Sequence, residues 1–255
     1  MIIDFHTYIG ESILGQSSTE KELMKNMERN NIDRSIVCPV KTTDPFFQEQ
    51  NKYVSQLQNK YKGKIYGFAR IDPNLGKRSQ MILEEALTSL HLYGLLLHPW
   101  EETFAINDRK VYPIIKICEK YDVPVLVETG YPWLSHCFQV ASLAEKFPKV
   151  KFIMSHGGQF DSSGYALTDV DYVMRKHKNL YIETSGDYSD EGIERLPGEV
   201  GKERLIFGSH FPWLDSELEI YRIKRAKLTE EEREAIYYKN ALSLLKTEPI
   251  EKSCF

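Results

Sequence analysis

Pro124-Val-Leu-Val-Glu128-Thr-Gly130 and Val150-Lys-Phe-Ile-Met-Ser-His156-Gly-Gly158 are two short β-rich runs, and Ala141-Ser-Leu-Ala144 lies between them with apolar residues at helical spacing. Together they read as one strand–helix–strand unit. Working outward, the same alternation continues in both directions. Strands are expected at Met1–Phe5, Arg34–Cys38, Lys64–Arg70, Gly94–His98, Pro124–Glu128, Val150–Ser155, Leu180–Ser185 and Arg204–Gly208. Their starts are about 25 to 33 residues apart, roughly one strand plus one helix. Thr19-x-x-Glu22 and Thr229-x-x-Glu232 are capping boxes that mark helix starts, the second opening an additional C-terminal helix. No Gly/Ser/Pro linker interrupts the series, so the chain is expected to form a single (β/α)₈ TIM barrel over residues 1–255. An open doubly wound sheet would need a glycine-rich phosphate turn, and neither GxGxxG nor GxxxxGK[ST] occurs.

Composition agrees with that architecture and narrows the function. The 255 residues are 42% hydrophobic and 27% charged, enough apolar material for a sizeable core. With 33 basic and 37 acidic side chains the net charge is −4, which offers nucleic acid no basic stripe. The apolar runs fall far short of the roughly 20 residues of a membrane span. No secretion signal is read at the N-terminus. Cys38, Cys118, Cys137 and Cys254 have no metal-finger spacing and read as reduced thiols of a cytoplasmic protein. Cys254, one residue from the end, makes no prenylation box. The run Glu230–Glu234 reads as a solvated first turn placed well against the helix dipole.

In a barrel of this kind the chemistry sits at the C-terminal ends of the strands. The first ends in Asp4-Phe-His6-Thr-Tyr8, where a period of two puts 4, 6 and 8 on one side. The third to eighth end in Arg70, His98, Glu128, His156, Thr184 and His210. Four of the seven histidines thus converge on one mouth, and imidazole with carboxylate suits a divalent cation such as Zn²⁺.

These segments resemble the amidohydrolase-related group of metal-dependent hydrolases and decarboxylases, the branch that contains aminocarboxymuconate-semialdehyde decarboxylase. The matching residues are Ile3-Asp-Phe-His6, Leu97-His-Pro99, Thr129-Gly130, Ser155-His-Gly-Gly158, Gly208-Ser-x-Phe-Pro212 and Asn240-Ala241. Three positions depart from the pattern. Tyr8 replaces the second histidine of His-x-His, Glu128 replaces a ligand histidine, and His210 replaces the aspartate of the last strand. Each replacement can still bind a cation or move a proton.

Carried over position by position, the resemblance implies His6, Glu128 and His210 as ligands of one divalent ion, zinc or else manganese, with Tyr8 beside them. His156 becomes the general acid/base, and His210 and Tyr8 join it as catalytic candidates. Arg70 is expected to clamp a substrate carboxylate or to form an ordinary ion pair. His98 would orient substrate. Trp100, Tyr131 and Trp133 would stack on a planar ligand or wall the pocket. Asp4 and Asp72 read as supporting residues. The leading expectation is hydrolysis of an amide, ester or lactone bond in a small anionic molecule. Non-oxidative decarboxylation, metal-free lactone hydrolysis and a non-catalytic binding barrel are the alternatives. A homodimer is left open.

Overall fold

In the computed structural model residues 1–158, 165–186 and 190–247 are described; Cys254 lies outside them. Eight strands, β1 (Ile3–Ile9), β2 (Arg34–Pro39), β3 (Ile65–Arg70), β4 (Gly94–Leu97), β5 (Val125–Val127), β6 (Phe152–Met154), β7 (Leu180–Glu183) and β8 (Leu205–Ile206), pair in chain order. Every pairing is parallel. Phe5 N donates to Phe207 O at 2.9 Å and Tyr8 N to Phe211 O at 2.8 Å, which carries the ladder from β1 to the chain at and beyond β8. The result is a (β/α)₈ TIM barrel.

Helices α1 (Glu20–Arg29), α2 (Gln48–Lys60), α3 (Lys77–Thr88), α4 (Pro99–Glu102), α5 (Tyr112–Tyr121), α6 (Cys137–Lys146), α7 (Tyr165–Lys176), α8 (Asp190–Leu196) and α9 (Ser216–Arg225) follow the strands. Beyond them, α10 (Glu230–Glu234) and α11 (Asn240–Leu245) form the C-terminal addition, joined through the wider turns of Ala235–Lys239. Both capping boxes are present: Thr19 and Thr229 each accept from the N3 amide while Glu22 and Glu232 reach back. Among the described residues no helix is long and apolar enough to cross a membrane.

Alternation along the strands sorts side chains into two cores. Ile3, Phe5, Ile36, Phe68, Leu96, Leu126, Ile153 and Ile206 fill the barrel interior. Val37, Leu95, Leu97, Val125, Val127, Phe152 and Met154 face the helices. Each such burial is worth roughly 1.5–3 kcal/mol, which holds the strand ends in place. Several strands close earlier than the sequence suggests, because their polar ends turn into the mouth. The backbone still continues the ladder there: Glu128 N donates to Leu97 O at 2.9 Å and Ser155 N to Val127 O at 3.0 Å.

One expectation about register is corrected. Asp4, His6 and Tyr8 do not share a face, because β1 carries an irregularity between Asp4 and Thr7 that adds one residue opposite β2. Ile3 and Phe5 point inward, and Asp4 turns to Ser209, accepting from its amide at 2.8 Å and its hydroxyl at 2.5 Å. After the extra residue, His6 and Tyr8 both reach the centre. Burial pushes the Asp4 carboxyl up to about 6 against those hydrogen bonds.

Candidate metal and catalytic centre

The centre is built on Glu128, which leaves β5 in phase with the interior residue Leu126. Its Oε1 lies 2.7 Å from His6 Nε2 and 3.7 Å from His210 Nε2, and accepts the Tyr8 hydroxyl. Its Oε2 accepts from the Ser155 hydroxyl at 2.9 Å and lies 2.9 Å from His156 Nε2. Four other candidates, from three strand ends, therefore meet at this one buried carboxylate.

The chain must bend sharply to bring two of them in. His156 (φ 55°) and His210 (φ 56°) both occupy the left-handed region, uncommon for residues other than glycine and a place where backbone strain collects at functional sites. The His210 ring lies 4.6 Å, centroid to centroid, from those of His6 and His156. Its outer face stacks on Trp213 at 5.3 Å and 16°. His156 Nδ1 faces the Ser185 carbonyl at 3.2 Å and its hydroxyl at 3.1 Å, which fixes the ring on the side away from Glu128.

Glu183 had no role in the sequence reading, yet it completes the centre. Its Oε2 lies 2.9 Å from His6 Nδ1, so a proton on Nδ1 bonds outward and Nε2 is left to face the centre. Gly208 makes room for it, since a Cβ there would overlap the carboxylate. The signal available in the sequence is a lone carboxylate between Ile182 and Thr184 inside an apolar strand.

Electrostatics follow from these contacts. Burial alone would lower the His6 pKa, but the Glu128 and Glu183 carboxylates outweigh it and hold it up at about 10. Burial would raise Glu128, and His6 and His156 overcome that to hold it well below the usual carboxylate range. Burial opposes Glu183 in the same way, and His6 lowers it. Burial, then His156 and His6, push His210 well below its ordinary value, so it is neutral. Burial, then Glu128, raise Tyr8, which stays a phenol. Two carboxylates, Glu128 and Glu183, thus bracket the His6 imidazolium, one at each ring nitrogen.

The donors fit such an ion. One ligand atom from each of His6, Glu128 and His210 lies within 4.8 Å of the others. Tetrahedral zinc, with bonds of about 2.0–2.2 Å, spaces its ligand atoms about 3.3–3.5 Å apart. The 2.7 and 3.7 Å separations bracket that spacing.

The remaining candidates stand around this set. Arg70 takes the ion-pair course instead of lying open as a clamp: it is fully buried and bonded to Glu101 and Glu102 of α4. His98 caps α4, its Nδ1 accepting from Glu101 N at 3.3 Å, and burial lowers its pKa. Trp100 and Tyr131 stack at 5.1 Å and 4°. Trp133 does not join them, being 84% exposed. Asp72 caps the turn at Pro73–Leu75 by accepting from Asn74 N, a structural role.

The sequence profile of an amidohydrolase family matches residues 34–247. The chain belongs to that family. Among relatives of the amidohydrolase chain is a gamma-resorcylate decarboxylase from Polaromonas, 20% identical over 248 residues, covering 77% of this chain and 74% of that one. The structure of 5-carboxyvanillate decarboxylase from Sphingomonas paucimobilis superimposes with a TM-score of 0.80 at 13% identity, over 97% of this chain and 99% of the other. A dihydroxybenzoic acid decarboxylase from Polaromonas, solved with bound manganese and 2-nitroresorcinol, gives 0.76 at 15% identity, over 100% and 99%.

Proposed function

We propose that this amidohydrolase-family protein is a metal-dependent decarboxylase of a small hydroxylated aromatic acid. The observation that carries the reading is the meeting of His6, Tyr8, His156 and His210 at the buried Glu128 carboxylate. The choice of decarboxylation over the hydrolysis expected from the sequence is supported by the relatives, which are named for decarboxylating resorcylate, vanillate and dihydroxybenzoate skeletons. His6, Glu128 and His210 would hold one divalent ion. Manganese is what the Polaromonas structure contains, and a set with two imidazoles also suits zinc. When bound, the ion supplies a positive charge that anchors the substrate's anionic oxygens.

The protein's own residues do the rest. Loss of carbon dioxide from an aryl carboxylate requires one proton to be placed on the ring carbon. His156, fixed between Ser185 and Glu128, holds that proton beside the substrate and regains it from solvent. Tyr8, kept as a phenol, donates to Glu128 and steadies the carboxylate. The Trp100–Tyr131 stack offers a flat apolar face at the rim for a planar ring.

The direct test incubates metal-loaded protein with 2,6-dihydroxybenzoate and with 5-carboxyvanillate and measures carbon dioxide and the decarboxylated phenol. Hydrolysis of a lactone or ester panel with no carbon dioxide from either acid would return the protein to the hydrolase reading. His156→Asn is expected to lower turnover by about 10²–10⁴-fold, as for loss of a general acid, with metal content unchanged. Turnover near wild type would remove His156 from the chemistry. Glu183→Gln should weaken metal affinity by about 10–100-fold in chelator competition, because His6 loses the partner that orients it. Undiminished affinity would show that Glu183 does not set the ligand.

A further inference from the structure

We propose that Asp4 is a positioning residue for the metal centre: its carboxylate holds the backbone turn that carries the His210 imidazole to His6. For the ligand role of His210 this rests on the metal-dependent reading; for the turn itself it rests on geometry alone.

The chain beyond β8 reaches the centre through an irregularity in its pairing with β1. Phe5 N donates to Phe207 O at 2.9 Å and Tyr8 N to Phe211 O at 2.8 Å. Between those two bonds β1 advances by three residues and the opposing chain by four. The surplus residue is accommodated where His210 turns the chain at φ 56°. A backbone of that kind persists only where its surroundings over-determine it.

Asp4 supplies that determination from across the barrel. Its Oδ1 accepts from Ser209 N at 2.8 Å and its Oδ2 from the Ser209 hydroxyl at 2.5 Å. The same hydroxyl oxygen accepts from Phe211 N at 3.2 Å. One carboxylate therefore holds the amide before His210 directly and, through Ser209, the amide after it. His6 N donates to Oδ1 at 3.2 Å, which ties the carboxylate to its own strand. Asp4 and Ser209 are fully buried, so these donors have no solvent to turn to.

A second support lies on the other side of the turn. His210 O accepts from Trp213 N at 2.9 Å, and the Trp213 ring stacks on the imidazole. Trp213 moves with the same loop, whereas Asp4 belongs to β1, the strand that carries His6. Pinning the turn to β1 is thus what sets one imidazole against the other, with ring centroids 4.6 Å apart. Without the carboxylate, Ser209 loses both acceptors and the chain at 210 is free to return to the ordinary β region. Asparagine can keep the turn, its carbonyl standing in for Oδ1 and its amide donating to the Ser209 oxygen.

The test titrates cobalt(II), whose visible spectrum reports its ligands, into metal-free wild type, Asp4→Ala, Asp4→Asn, His210→Gly and the Asp4→Ala/His210→Gly pair. Asp4→Ala should weaken cobalt binding by about 10–100-fold, as for loss of a group that orients a ligand, and move the spectrum to that of His210→Gly. Asp4→Asn should stay within about threefold of wild type, since its hydrogen bonds are kept. The pair should bind within about twofold of His210→Gly alone, because two changes acting through one ligand do not add. A folded Asp4→Ala with wild-type affinity and spectrum, or losses that multiply in the pair, would overturn the proposal and leave Asp4 a role in stability only. If Asp4→Ala does not fold, Ser209→Ala, which removes the hydroxyl link alone, enters the same cycle with His210→Gly and decides by the same criterion. Wild type that takes up no cobalt would overturn the metal reading and the proposal together. The expected cycle with no carbon dioxide from 2,6-dihydroxybenzoate would sink the decarboxylase reading and leave the role of Asp4 standing.

Discussion

Glu128→Gln is expected to strip the protein of its metal and lower turnover by at least about 10³-fold, roughly 4 kcal/mol at the barrier. The reason is the number of groups that depend on one carboxylate. Glu128 receives hydrogen bonds from Tyr8 and Ser155, faces His6 and His156 within 2.9 Å, and has His210 at 3.7 Å. The amide keeps the shape but removes the charge that a divalent ion and an imidazolium both require. Alanine would go further, leaving several buried donors with no acceptor, a loss of about 3–5 kcal/mol when one partner of a buried pair is deleted. The two variants separate the causes. Glutamine should lose metal, by elemental analysis, while its thermal unfolding stays cooperative; alanine should lose both metal and stability. One equivalent of metal retained in Glu128→Gln would remove this residue from the ligand set.

Metal affinity is expected to rise about tenfold per pH unit between pH 6 and 9, since the ion must displace a proton from His6. The sign follows from the two carboxylates that hold the His6 pKa at about 10, above its unfolded value near 6.5. In the metal-free protein this proton contributes stability that is fully present below about pH 6.5 and is lost as pH climbs toward 10. In the loaded protein a divalent ion replaces it and that loss disappears. The gap in Tm between loaded and chelated protein should therefore widen with pH across this window. Chelator competition at three pH values measures the affinity slope, and a flat line would show that His6 exchanges no proton for metal.

The barrel was legible because strand-plus-helix periodicity depends on local pattern, and every strand candidate coincides with an observed strand. His6, Glu128, His156 and His210 were legible for a related reason: each is a polar residue at the end of an apolar run, where the fold puts its chemistry. What escaped was whatever depends on phase or on distant partners. Glu183 lies one residue off the position that the apolar pattern of β7 emphasises, and its contact with His6 spans 177 residues. The extra residue in β1 has no signature in Ile3-Asp-Phe-His6 and is visible only against β2. Arg70 looked available because the two glutamates that neutralise it arrive 31 and 32 residues later, on α4.

The left-handed backbone at 210 bears on how such a site can change over generations. The family pattern that the strand ends resemble has aspartate where this chain has His210. At φ 56° the position favours glycine, asparagine, aspartate and histidine, and penalises β-branched and bulky residues by their shape alone. Of those four, only aspartate and histidine can serve both as metal ligand and as proton carrier. The backbone thus narrows such a choice at this position to histidine or aspartate. Glu128 likewise stands where the resembled pattern has a histidine, so the pair keeps one of each kind of donor.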